Sequence, residues 1–353
     1  MANWLTSRES VKRALKVNGI AQDRFIDESI ESISRQIERW CHGRIFIPKT
    51  QTRLYEWFPR QFVRAHILWL DFDLLSVTTL KTMAQDSSPT TISSSDFFLE
   101  PNNDGPPYDR IEIDLSSTAA FESGDTPQRS LSVLGSWGYS DNTRSRGTVA
   151  SGLSSSSSAT EFVCGDGSLI DVGDTLLIES EQIFVSERVF ADLAKNMNDG
   201  SITASVANNS LTAESGHGVL AGETIRLDSE EMFVEAVSGT TITVTRAYNG
   251  TLLVAHATAV DIFVSRTLTI ERGINGTTAA THADATAILK YEPEFNIVSW
   301  CRREAIAQYL QEGAGFGREI GQGEGAREFR GVDLTARREM DIDRYEWVRM
   351  AAV

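Results

Sequence analysis

The feature that most constrains this chain is a pair of interleaved repeats. Residues 173–185 read GDTLLIESEQIFV and residues 222–234 read GETIRLDSEEMFV, an offset of 49. Residues 242–257 (ITVTRAYNGTLLVAHA) and 268–283 (LTIERGINGTTAATHA) repeat at an offset of 26. The order is front half, front half, back half, back half, which unequal offsets separate from a plain tandem array. The simplest topology places one complete β module, 205–263, inside a loop of another made of 151–204 and 264–290. Two units that exchange halves would leave the same order. Asn249-Gly250 and Asn275-Gly276 supply tight turns in both copies, because both residue types tolerate positive φ.

The charge supports a division near residue 150. The chain has 353 residues, room for two or three domains at about 100–200 residues each, and a net charge of −16. Residues 160–290 hold 7 basic against 18 acidic side chains, so −11 of that total lies in the middle. The run SGLSSSSSAT at the step has linker composition. This balance argues against tight non-specific binding to DNA or anionic membrane, both of which need clustered Lys and Arg. No apolar run reaches the roughly 20 residues of a membrane span, and MANWLTSRESVKRALKV lacks the apolar stretch of a secretory signal. Synthesis inside the cell is the expectation. Cys41, Cys164 and Cys301 are scattered, with no CxxC pair, which argues against a disulfide framework or a zinc site.

Both ends read as helical. Thr6 and Glu9 have capping-box spacing, and Val11 and Leu15 follow one turn apart. From Asp23 to His42, Ile26, Ile30, Ile33, Ile37 and Trp40 form one apolar stripe, with Gly43 placed to end it. After Pro293, the segment FNIVSWCRREAIAQYLQE puts Ile297, Trp300, Cys301, Ala305 and Tyr309 on one side, up to Gly313. A last helix is expected over Thr335 to Met350. The glycine-rich stretch before it has no GK[ST] and no GxGxxG, so it reads as a hinge or a loop ordered on assembly, not a phosphate loop. Between the ends, stretches such as TRLYEWF, RIEIDL and SLSVLGSWGY alternate as strands do.

Residue patterns that carry chemistry are sparse. His256 and His282 occupy the same position in the two repeats, but no HxH or HExxH accompanies them, which favours a role in supporting the turn. Glu179/Glu181 and Asp228/Glu230/Glu231 recur without the Asp/Gly spacing of a calcium loop and read as a solvated face. Neither GxSxG nor a cysteine with catalytic neighbours is present, and Asp71/Asp73 and Asp341/Asp343 are isolated pairs. The expectation is a protein that is not an enzyme, with no catalytic, metal or cofactor-binding residues and no cofactor.

The outer parts of the chain resemble the head–tail connector (adaptor) proteins of tailed bacteriophages. The resemblance rests on WLTSRESVKRALKVNG and DRFIDESIESISRQIERWCHGRIF, at Val11, Lys12, Leu15, Asp23, Ile26, Ile30, Ile37, Trp40, Gly43, Arg44 and Phe46. It continues through LLSVTTLKTM, SDFFLEP, PPYDRIEIDL and SVLGSWGY, and the PEFNIVSWCRREAIAQYLQE segment resembles the family's third helix. It covers about residues 4–150 and 291–350, and departs from the family in the residues between. The resemblance implies a dodecameric ring in the virion neck, with the portal above, a stopper or tail-completion protein below, and DNA passing through without tight binding.

The expected fold is therefore α+β. A discontinuous helical connector domain with a small β region (1–150 plus 291–353) is interrupted by two nested, sandwich-like all-β modules. Ring and core packing fall to Val11, Leu15, Ile26, Ile30, Ile33, Ile37, Trp40, Ile297 and Trp300. Portal docking falls to Arg344, Tyr345, Trp347, Arg349 and Met350, which have the composition of interface cores. If the middle is an insertion, replacing 153–289 by a short loop should leave the helices folded. A baseplate or fibre component that binds a receptor or carbohydrate is the alternative function. The scarcity of aromatics in 160–290, which contain no Trp, weakens its sugar-binding form.

Overall fold

The computed structural model describes residues 3–17, 19–58, 65–153 and 158–313, together with strand residues 319–320 and 327–328. Helix α1 (Arg8–Leu15) starts one residue later than the capping box implies. Ser7 is the N-cap and its Oγ accepts the Ser10 N–H, while Glu9 accepts the Val172 N–H from the middle of the chain (2.9 Å). Helix α2 (Asp23–Trp40) buries Ile26, Ile30, Ile33 and Ile37, and Gly43 at φ 83° lies just beyond its end. Helix α3 (Phe295–Gly313) lies across α1 and α2. One core joins the three: Val11, Ile26, Ile30, Ile33, Ile37, Ile297 and Trp300 are buried together, with Leu15 and Trp40 against them. The Trp40 and Trp300 rings stack at 5.2 Å.

Strands β1 (Lys49–Tyr55), β2 (Ile67–Thr82), β3 (Thr90–Ile92), β4 (Phe97–Glu100), β5 (Tyr108–Ile113) and β6 (Leu131–Trp137) make a six-stranded antiparallel sheet. Its order is β1-β6-β2-β5-β4, with β3 beside β2. Leu131, Val133 and Trp137 alternate inward along β6 and meet Leu68, Leu74, Leu80 and Ile111 in a separate core. At Gly135 a Cβ would stand 2.1 Å from the Ser76 carbonyl oxygen, so the pairing of β6 with the bulged β2 requires glycine.

Apart from a two-residue pairing of Glu319–Ile320 with Arg327–Glu328, the remaining strands form one ten-stranded antiparallel sheet. Its strands are β7 (Thr143–Ser151), β8 (Glu161–Cys164), β9 (Thr175–Ile178), β10 (Glu181–Asn196), β11 (Ser210–Thr212), β12 (Thr224–Leu227), β13 (Glu230–Ser238), β14 (Thr241–Thr245), β15 (Asp261–Glu271) and β16 (Ala287–Tyr291). The pairings β10-β9-β16-β7-β8-β15 return to β10 and close a first barrel around Phe162, Leu176, Ile183, Leu268 and Ile288. A second barrel runs from the start of β15 through β12, β13, β14 and β11. The Met197–Ala213 bridge at the end of β10 closes it, around Leu211, Ile225, Val234, Ile242 and Val264.

Each strand of one barrel has a counterpart in the other. Phe184 pairs with Glu271 as Phe233 pairs with Thr245, and Glu181 with Ile178 as Glu230 with Leu227. The long strands β10 and β15 run through both barrels. They enter the second where β13 and β14 of the second barrel simply turn at Gly239.

These observations correct the expected fold. The chain is mostly β, with two large antiparallel sheets and, among the described residues, three α-helices. The outer segments are no helical domain with a small β region, because their alternating stretches suffice for a sheet with its own core. The middle consists of closed barrels, not sandwiches, since closure leaves no open edge to cover. Strands β7 and β16 straddle residues 150 and 291, pair with each other from Thr143–Tyr291 to Thr148–Ala287, and belong to the first barrel.

Candidate functional site

The repeated ionisable residues converge on one motif, built twice. In the first barrel, Glu181 at the start of β10 accepts Arg272 Nε (2.9 Å) and Nη2 (2.6 Å) and the N–H groups of Gly273 and Ala280. His282 places Nε2 2.8 Å from Glu181 and Nδ1 2.7 Å from Glu179. In the second barrel, Glu230 accepts Arg246 twice at 2.7 Å and the Ala247 and Val254 N–H groups. His256 lies 3.0 Å from Glu230 and 2.8 Å from Asp228.

Glu181 and Glu230 are 0% exposed, against about 60% for Glu179 and Asp228. The expected solvated face therefore holds for Glu179 and Asp228 but not for Glu181 and Glu230, and Glu231 is half-buried. Burial alone would push the Glu230 carboxyl up, but Arg246, the Ala247 N–H, His256 and the Val254 N–H outweigh it and hold it down at about 2. Glu181 is held low in the same way. An Arg, a Glu and a His at fixed positions in both repeats were the signal in the sequence. Which Glu each Arg and His meets is set by strand pairing between segments remote in sequence.

Each network clamps a turn. In the first barrel Asn275 (φ 55°) bonds Gln182 (2.8 Å), and Thr277 Oγ1 accepts the Gln182 N–H. The second repeats this with Asn249, Glu231 (2.7 Å) and Thr251. The first turn docks on the rest of the chain: the Asn275 carbonyl accepts the Thr50 N–H, and its side-chain amide exchanges two hydrogen bonds with Asn3. Trp4 follows Asn3 onto Phe184, with ring centroids 5.3 Å apart, and lies over Gly173, where a Cβ would be 2.2 Å from the indole. The second turn brings Gly250 against Gly19 between α1 and α2.

A charged seam joins α1 to the barrels. Arg8 pairs with Asp27 and with Glu187 (2.9 Å), Lys12 with Asp23 (2.6 Å), and Arg13 with Asp171 (3.0 Å). Burial and the nearby Asp171 carboxylate push the Glu9 carboxyl up to about 7. Arg44, from the Gly-Arg-x-Phe stretch, pairs with Asp73 at 2.7 Å.

The helix residues singled out from the sequence come together in the helical core, which also takes in Val172, Phe184 and Ile274 from the first barrel. Arg344, Tyr345, Trp347, Arg349 and Met350, and the helix expected over 335–350, lie outside the described residues. Cys41, Cys164 and Cys301 are buried and form no disulfide, and burial pushes the Cys301 thiol up to about 12. Among the described residues no group of three or more His, Cys, Asp or Glu is arranged to hold a metal, and no helix is long and apolar enough to cross a membrane. Within the chain, the turn at Asn275, the Trp4 strap and the charged seam hold the helices against the barrels. The sequence matches no protein-family model, and comparison with curated proteins and with solved structures finds no match.

Proposed function

We propose that this chain is a structural virion protein of a tailed bacteriophage, a head–tail connector that assembles as a ring in the neck. In this reading it binds the portal on one side and a stopper or tail-completion protein on the other. DNA passes through the channel. One observation carries the reading: α1, α2 and α3, from opposite ends of the sequence, share a core that takes in Val11, Ile26, Ile30, Ile37 and Phe46 of the connector resemblance, with Leu15 and Trp40 against it. The net charge of −16 supports a conduit, since each phosphate neutralised by a basic lining would add salt-sensitive affinity and slow passage.

The second reading, a baseplate or fibre component, draws support from the predominance of β structure. Negative-stain imaging of the purified protein, with and without its portal, separates the two. Closed rings with a central channel that join the portal are expected. A monodisperse monomer that ignores the portal overturns the connector reading and leaves the fibre reading to be tested on glycans.

A further inference from the structure

The two barrels do not treat equivalent surfaces alike. In the first, Gly173, Thr175, Gln182, Phe184, Ile274 and Asn275 form a socket occupied by Asn3 and Trp4. Trp4 covers Gly173 and meets Phe184 edge-on, while the Asn3 amide bonds Asn275 and lies 3.5 Å from Thr175 Oγ1. Carried through the offsets of 49 and 26, these residues become Gly222, Thr224, Glu231, Phe233, Tyr248 and Asn249.

All six line one cleft of about 190 Å³ between the second barrel and α1, and its opposite wall is charged through Arg8, Glu9, Lys12, Asp171, Glu187 and Arg188. Its backbone is set as in the first: Gly222 has φ 90° against 98° at Gly173, and Asn249 φ 51° against 55° at Asn275. Phe233 and Tyr248 stand 5.4 Å apart, giving it an aromatic wall. Ser168 touches the Gly222 side, and Arg13, Val17 and Ile20 of α1 and its link to α2 face it. Among the described residues, no tryptophan lines the cleft as Trp4 fills its counterpart. Two large apolar side chains stand exposed near the contact of Gly19 with Gly250: Ile20 at 70% and Leu252 at 79%.

We propose that this cleft is a docking socket for an extended segment of a partner protein that presents an aromatic side chain directly after a side-chain amide. The chemistry is that of Asn3–Trp4, with one change. Glu231 replaces Gln182 and its side chain keeps only the turn-holding bond: it accepts Asn249 Nδ2 as Gln182 accepts Asn275 Nδ2, while the further Gln182 bonds to Pro48 and Tyr291 belong to the first socket alone. The partner's polar group meets Asn249 as Asn3 meets Asn275, so a side-chain amide that both donates and accepts fits it. The proposal stands independently of the connector reading: α1 supplies one wall of the cleft, but the occupant is argued from the repeat.

A synthetic peptide of residues 1–7 (MANWLTS) is the probe, titrated into the full-length protein and followed by amide NMR. Saturable binding that perturbs Gly222, Tyr248 and Asn249 is expected. Tyr248→Ala should weaken it about tenfold, in line with loss of one aromatic anchor. Ser168→Trp should block the cleft and abolish binding while the melting temperature is kept. Absence of binding at millimolar peptide, indifference to both substitutions, or shifts confined to Gly173 and Phe184 overturns the proposal. Binding that appears only in Trp347→Ala protein makes the chain's own tail the occupant, and self-association reversed by Tyr248→Ala makes it a second copy. Either result also overturns it.

Discussion

A buried carboxylate is tolerable only when its lone pairs are taken, and Glu230 has five donors around it: two from Arg246, two backbone N–H groups and His256. Glu230→Gln removes the charge and strands the Arg246 guanidinium, itself 0% exposed, so about 3–5 kcal/mol of stability should be lost in urea unfolding. The acid limb follows from the same group. Its folded value lies near 2 against an ordinary 4.5, so its stabilisation is complete above 4.5 and is lost as pH falls toward 2. Glu9 has the opposite sign. Its folded value of about 7 exceeds 4.5, so the folded form keeps a proton that the unfolded form releases, and stability falls as pH rises through that window. Glu9→Gln, whose carbonyl can still accept the Val172 N–H, should flatten the melting temperature between pH 5 and pH 7. An unchanged slope there assigns the dependence to another group.

At the scale of elements, β10 and β15 are the joint between the barrels. Val189 pairs with Thr267, and beyond them the strands pass through bulges into the second barrel. In that barrel the equivalent strands end in the turn at Gly239 and Thr240, flanked by the pair Ser238–Thr241. Replacing residues 190–266 by Gly-Thr should therefore close the first barrel on itself, because loop closure depends only weakly on length and this register is already set. The shortened protein should unfold cooperatively with its helices intact. Loss of cooperative unfolding would mean that the second barrel holds the first one shut.

For the whole molecule, the helices depend on the first barrel. Val172, Phe184 and Ile274 belong to the helical core, Arg8 donates its backbone N–H to the Val172 carbonyl, and Trp4 lies on Gly173. Replacing 153–289 by a short Gly/Ser loop should consequently cost the helices much of their far-UV signal. Burial of one side of α1 and α2 disappears with the barrel, and short helices persist chiefly through tertiary packing. The insertion reading of the sequence implies the reverse outcome, an intact helical domain, so circular dichroism of this deletion decides between them.

What the sequence determined by itself is local or repeated. The 3-4 spacing of Ile26, Ile30, Ile33 and Ile37 sets a helix face, the alternation along β6 sets a strand, and the two copies of Arg, Asn-Gly and His set two equivalent turns. Tertiary structure decided which Glu each Arg and His would meet, since Arg272 and Glu181 lie 91 residues apart and only barrel closure brings them together. It also decided that strands crossing the expected boundary would join the first barrel, that Ser7 would cap α1 while Glu9 reached Val172, and that one repeated socket would receive Trp4. Those outcomes depend on partners remote along the chain, and the free energy of such a contact is a property of the pair, which neither residue's neighbours in sequence encode.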